Sequence, residues 1–256
     1  MPQSGAVGFA FLLTILAGLS TGVGSAIAYA IRKPRPGYLS FALGFSAGAM
    51  VYVSFVELLP NAMHGIGKPQ GVVFFFLGVA IAALMDVLIP TGRSPHHLPG
   101  LGPPNGAGDG EVLMRVGTLT ALAVGLHNFP EGLATFGAAL SNSRLGIITA
   151  IAIALHNIPE GIAVSMPIFY ATGSRRKAFG LSFASGLAEP AGAVIGYALL
   201  RPFLSDALLA GLLALVSGIM VYIALDVLPV AHRGGHAAVV GTVLGMLTIA
   251  VSLLLL

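Results

Sequence analysis

The chain has 256 residues, of which 56% are hydrophobic and only 8% charged, with no cysteine and a formal net charge of +3. Ordinary soluble domains carry roughly 25% charged residues, so this composition belongs to a chain dissolved in a membrane; the lack of cysteine excludes a disulfide framework and any thiolate metal site. A small positive excess can signal an acidic partner such as nucleic acid, which makes the location of the basic residues more informative than their sum.

A helix needs about 20 apolar residues to cross a hydrocarbon layer about 30 Å thick. Eight runs qualify, and together they predict a single all-α integral membrane domain over residues 1–256. The first, Ala6 to Ile31, has no lysine or arginine before it, so it lacks the basic start of a cleavable signal peptide and reads as a retained span. The second, Tyr38 to Pro60, holds Met50 and Glu57, and the third, Gly71 to Ile89, ends near Asp86. Next comes TGRSPHHLPGLGPPNGAGDGE, residues 91–111, whose glycine and proline content and His96–His97 pair predict a flexible cytoplasmic loop. The fourth, Val116 to Leu140, contains HNFPEG from His127; the fifth, Leu145 to Ala171, contains HNIPEG from His156. Ala178 to Leu200, Leu208 to Pro229 with Asp226, and Ala237 to Leu256 complete the set. Short turn-rich connections such as RKPRPG, SNSRLG and TGSRRK favour packing between neighbours.

Nine of the twelve basic residues fall on the odd-numbered connections, while Lys68, Arg144 and Arg201 fall on the even ones. The positive-inside rule then makes the odd side cytoplasmic and places both termini outside. With the basic residues explained as topology signals, nucleic acid is not expected as a partner; the lipid bilayer is.

Two internal similarities stand out. One is the pair of HNxPEG hexapeptides. The other sets MVYVSFVELLP, from Met50, against MVYIALDVLP, from Met220, with a one-residue slip before the acid. Because the second and seventh spans run in opposite directions, a true repeat would be inverted, relating helices 1–3 to helices 6–8 around a central pair; transporters of that build place their site near the midplane.

Of nine acidic residues, six lie within spans, and Glu131, Glu160 and Glu189 all fall near half depth. Each buried charge there costs roughly 2.5 to 3.5 kcal/mol, about 10 kcal/mol for three, and no lysine or arginine sits at that depth to offset it. Such a carboxylate takes up a proton or finds a cation. In a helix the residues three and four apart share a face, so His127 and Asn128 flank Glu131, and His156 and Asn157 flank Glu160. Imidazole nitrogen, amide oxygen and carboxylate on one face are a ligand set for a divalent first-row metal. Pro130 and Pro159 cannot donate to the carbonyls of Leu126 and Leu155, which predicts a kink and a bare carbonyl beside each motif. Glu189 completes the set from the sixth span, Met50 can add a thioether, and two glutamates able to bridge leave room for two ions. Glu57 lies near an outer helix end and Asp86 and Asp226 near inner ends; they suit the way in and the way out, and read equally as hydrated helix ends. His96 and His97 either catch an emerging ion or are simply solvated.

Taken in order, these motifs resemble the ZIP (Zrt- and Irt-like) family of divalent metal transporters, especially its short bacterial members. The resemblance covers the whole chain: eight spans, outside termini, a variable loop after the third, HNFPEG, HNIPEG and then SGLAEP. It implies a multi-pass protein of the bacterial inner membrane that passes zinc, and often iron, manganese, cobalt or cadmium, into the cytoplasm through a binuclear centre between the fourth and fifth helices. The ligands it implies are His127, Asn128, Glu131, His156, Asn157, Glu160 and Glu189, with Met50 a looser match. It also implies elevator-like movement of one helix bundle against another and, in some members, homodimers. The loop holding His96 and His97 is shorter and poorer in histidine than in many relatives, which speaks against regulation through it.

Two other classes compete. Zinc proteases use HExxH and di-iron bundles use Glu-x-x-His, whereas this chain has asparagine after the histidine and its glutamate four residues later; neither an enzymatic activity nor a resident cofactor is expected. A carrier of an organic solute driven by a cation would need a solute pocket, and the polar residues at half depth are almost all used by the ligand set.

Overall fold

The computed structural model describes residues 4–30, 36–88, 109–231 and 235–255, and within them it leaves some side chains, including those of Asp86 and His127, undescribed. Among the described residues every element is helical: α1 (Ser4–Ala30), α2 (Pro36–Val53), a π-helical turn (Ser54–Leu58), α3 (Leu59–Ile66), α4 (Lys68–Leu88), α5 (Asp109–Ser141), α6 (Ser143–Thr172), α7 (Arg175–Gly186), α8 (Ala188–Leu200), a short turn (Arg201–Phe203), α9 (Asp206–Ala231) and α10 (His236–Leu255). Among the described residues, seven stretches are long and apolar enough to cross a membrane: Gly5–Tyr29, Ser40–Ile66, Lys68–Met85, Ser143–Thr172, Arg175–Phe203, Asp206–Pro229 and His236–Leu255. They correspond to seven of the eight predicted runs. The remaining run, Val116 to Leu140, lies inside the 33-residue helix α5, several of whose side chains are outside the description. Helix α5 also starts earlier than expected, so Asp109 to Glu111 are helical and not loop. Acids in a first turn complement the helix dipole. His96 and His97 lie outside the described residues.

Local sequence sets the joints. Asn142 alone separates α5 from α6: its side-chain oxygen accepts from Leu145 N–H at 3.1 Å, and its own N–H donates to the Ala138 carbonyl at 2.9 Å. An N-cap asparagine of this kind satisfies donors the helix start leaves bare. Because His156 lies fourteen residues past Asn142 and Asn128 fourteen before it, the antiparallel pair brings both to one level. At the other end of α6, Gly173 takes the left-handed conformation, φ 64°, that closes a helix, and the Ser174 hydroxyl caps α7 by accepting from Lys177 N–H at 3.2 Å.

The helices pack as two groups. In one, α1, α5, α6, α7 and α8 contact one another; in the other, α2, α3, α4, α9 and α10 do so, and the groups meet mainly where α2 lies on α6 and α5 on α9. Lipid tails are as apolar as leucine, so such helices hold together by close packing over small residues. Glycines bring backbones together inside each group: Gly24 and Gly161 do so between α1 and α6, and Gly48 and Gly245 between α2 and α10. Where the groups meet, between α5 and α9, Gly137 faces a side chain, Leu209, at ordinary van der Waals distance.

The slip between the two MVY segments has a structural counterpart. Residues Ser54–Leu58 form a π-turn in which Leu59 N–H reaches back to the Ser54 carbonyl. A π-turn takes up one extra residue without breaking a helix, the same excess that MVYVSFVELLP shows over MVYIALDVLP. The corresponding stretch of α9 stays α-helical.

Candidate metal centre

Both hexapeptides sit inside unbroken helices, HNFPEG in α5 and HNIPEG in α6. Each ends in a glycine, and packing supplies the reason. A Cβ on Gly132 would collide with the Glu189 carbonyl of α8, and one on Gly161 with the Thr21 carbonyl of α1. Each motif is thereby pressed against a neighbouring helix. Glu189 itself occupies the first turn of α8, after Leu187 and before Pro190, which has no N–H to continue the ladder from α7.

Six of the predicted ligands are fully or almost fully buried: Met50, Asn128, Glu131, Asn157 and Glu189 at 0% exposure and His156 at 1%, with Glu160 close behind at 4%. His156 is the hub. Its Nε2 lies 2.9 Å from Glu160 Oε1, one turn along α6, and 3.5 Å from Glu131 Oε1 of α5. Its Nδ1 is hydrogen-bonded to the hydroxyl of Ser46 on α2. Asn157 donates to the Ala17 carbonyl of α1 at 2.9 Å and to Glu189 Oε1, while Asn128 donates to the Ser185 carbonyl of α7 at 3.3 Å. The two amides thus face their oxygens away from those partners. The side-chain oxygens Asn128 Oδ1, Asn157 Oδ1 and Glu189 Oε2 are buried with no hydrogen-bond donor among the described residues.

Three acceptors without donors in a protein interior are unusual, since each unsatisfied group costs about 1–3 kcal/mol. A divalent cation would supply the missing positive partner, since nitrogen and oxygen donors bind zinc at about 2.0–2.2 Å. Among the described residues no three histidine or acidic side chains are spread at ligand spacing as they stand; His156 instead contacts both glutamates through Nε2. A guest ion would take over those contacts.

The remaining predicted residues fall elsewhere. Met50 is packed in the apolar core around α2 and α9, one turn from Ser46. Glu57 is part of the π-turn and half-buried, its carbonyl accepting from Asn61 Nδ2 at 2.7 Å. Asp226 is half-buried in α9. Asp86 lies in α4 and His127 in α5 by backbone, and their side chains are outside the description. Ser46 belongs to no sequence motif; its position one turn before Met50 is its sole signal in the chain.

Among the described residues every element is helical, seven stretches are of membrane length, and three buried side-chain oxygens have no donor, which is the build of a multi-pass membrane transporter. Residues 103–253 match the family model described as ZIP Zinc transporter. The chain is 51% identical to "Zinc transporter ZupT" of Chlorobium luteolum over 96% of its own length and 97% of the relative's. It is 49% identical to the protein of that name from Streptococcus mutans, with 96% and 97% covered, and 48% identical to that from Clostridium perfringens, with 96% and 95% covered. The chain belongs to the ZIP family, a family of transporters and not of enzymes.

Proposed function

We propose that this protein carries zinc across the bacterial plasma membrane into the cytoplasm, binding it at half depth between α5 and α6. The observation that carries the reading is the cluster of buried oxygens without donors, Asn128 Oδ1, Asn157 Oδ1 and Glu189 Oε2, beside the His156, Glu131 and Glu160 contacts. Relatives near half identity over nearly the whole chain bear the name zinc transporter. His127, Asn128, Glu131, His156, Asn157, Glu160, Glu189 and Met50 form the ligand set, with room for two ions. Borderline donors without thiolate bind tightly enough to select and weakly enough to release, which extends the substrate range to iron, manganese, cobalt and cadmium. Glu57 serves the way in; Asp86 and Asp226, with His96 and His97, serve the way out.

Helix α5 provides the eighth crossing, and both termini face outside. The inverted relation of spans 1–3 to spans 6–8 draws support from packing: the α2–α10 pair maps onto the α9–α4 pair, and the α1–α6 contact at Gly161 onto the α8–α5 contact at Gly132. Division into two groups, each knitted internally by backbone approach, suits an elevator in which one slides past the other. A homodimer is compatible with this arrangement.

The test is uptake of a panel of divalent ions into proteoliposomes by the parent and by E160A. Accumulation of zinc without any organic solute, lost in the variant, supports the reading; undiminished uptake by E160A, or turnover of a peptide by the metal-loaded protein, overturns it.

A further inference from the structure

Buried hydroxyls in this molecule mostly turn back on their own helix: Thr14, Ser20, Thr149 and Ser217 each donate to a carbonyl three or four residues earlier. Ser46 does something else. It is 2% exposed, lies on α2 in one helix group, and bonds Nδ1 of His156 on α6 in the other.

We propose that Ser46 is a positioning residue for His156, its hydroxyl oxygen accepting from Nδ1–H so that Nε2 is presented as the ligand atom toward Glu131 and Glu160. This rests on reading His156 as a metal ligand. An imidazole nitrogen ligates only when it carries no proton, and the neutral ring has one proton to place. An acceptor on Nδ1 assigns that proton there and leaves the lone pair on Nε2, the atom 2.9 Å from Glu160 and 3.5 Å from Glu131. Metal-binding histidines commonly hold their other ring N–H in this way, through a carboxylate, a carbonyl or water. A serine adds no further negative charge to a centre that already holds three glutamates. The matching position in the α9 segment, counting back from Met220 as Ser46 counts back from Met50, is Val216. The hydroxyl is therefore peculiar to one half of the molecule.

The location of Ser46 adds a consequence. The partner that orients His156 does not travel with it: if α6 moves relative to α2, the Nδ1 acceptor is left behind. His156 is a well-ordered ligand only in the arrangement seen here, and a shifted arrangement holds the ion less tightly. Affinity is thereby tied to the relative position of the two helix groups.

Zinc uptake by proteoliposomes of the parent, S46A, S46T and H156A tests this. S46A is expected to raise KM for zinc by about 10-fold or more, in the range that loss of such outer partners costs, with the maximal rate kept or increased. S46T keeps the hydroxyl and restores KM to within about threefold of the parent. A packing role predicts the reverse order, because the extra methyl of threonine in a buried site disturbs packing more than alanine does. In zinc-loaded protein labelled with 15N histidine, the Nδ1–H signal absent from H156A is expected in the parent and S46T and lost to exchange in S46A. An unchanged KM in S46A, a defect in S46T equal to that in S46A, or an unaltered Nδ1–H signal in S46A overturns the proposal. If H156A itself transports like the parent, the ligand reading has failed instead.

Discussion

Gly132 of α5 lies directly against the backbone carbonyl of Glu189 in α8, so close that no side chain fits between them. The contact holds one proposed ligand helix against another. G132A forces the two apart, at a packing cost of about 1–3 kcal/mol, and is expected to reduce zinc uptake at least tenfold while lowering the melting temperature in detergent. Gly180 in α7 has open space where its Cβ would be; G180A should match the parent in both measurements, and equal defects in the two variants would refute the packing argument.

Asn157 ties α1 to α8 through the Ala17 carbonyl and Glu189. N157A leaves Glu189 buried without that donor, and removes a proposed ligand oxygen as well. Zinc affinity, read by calorimetry on purified protein, should fall about 10- to 100-fold. Retention of parental affinity would show that Asn157 is only a structural tie.

On the proposed ligand set, protons and metal would compete for the same atoms. A proton on His156 Nε2, or on the carboxylates beside it, blocks ligation, and metal affinity falls as pH falls. Uptake at low zinc should therefore decline when the outer solution is acidified from neutrality, and recover when zinc is raised. A decline that excess zinc fails to reverse would point to loss of fold and not to competition.

Arg144, at the start of α6, donates to the Leu253 carbonyl near the end of α10 at 3.1 Å. Carbonyls in a last helical turn lack partners of their own, and this bond joins the two helix groups at an exposed edge. Solvent limits its contribution to about 1 kcal/mol, a factor of about five in an equilibrium. R144A should leave the KM for zinc unchanged and alter the maximal rate by no more than about fivefold; a larger change in KM would place Arg144 in the binding machinery.

Much of this was legible in the chain. Apolar runs marked the spans because lipid demands length and hydrophobicity within a single helix, and among the described residues seven of the eight predicted runs meet that demand. The buried acids were legible for the converse reason: a carboxylate amid lipid is costly enough to require a partner wherever it is met. The slip between MVYVSFVELLP and MVYIALDVLP was visible as an extra residue, yet only the fold shows it taken up as a π-turn at Ser54–Leu58. The glycines ending HNFPEG and HNIPEG were visible too, but not that each is the contact point of a different helix.

The sequence by itself determined that this is a helical membrane protein and that His156, Asn157 and Glu160, like their counterparts in α5, share a helix face, because span length and helical spacing are properties of local chain. Tertiary structure alone decided that His156 reaches Glu131, that Asn157 reaches Glu189, and that Ser46 stands behind the imidazole. Those pairs are 25, 32 and 110 residues apart. No local periodicity connects such positions; only the way four helices close on one another does.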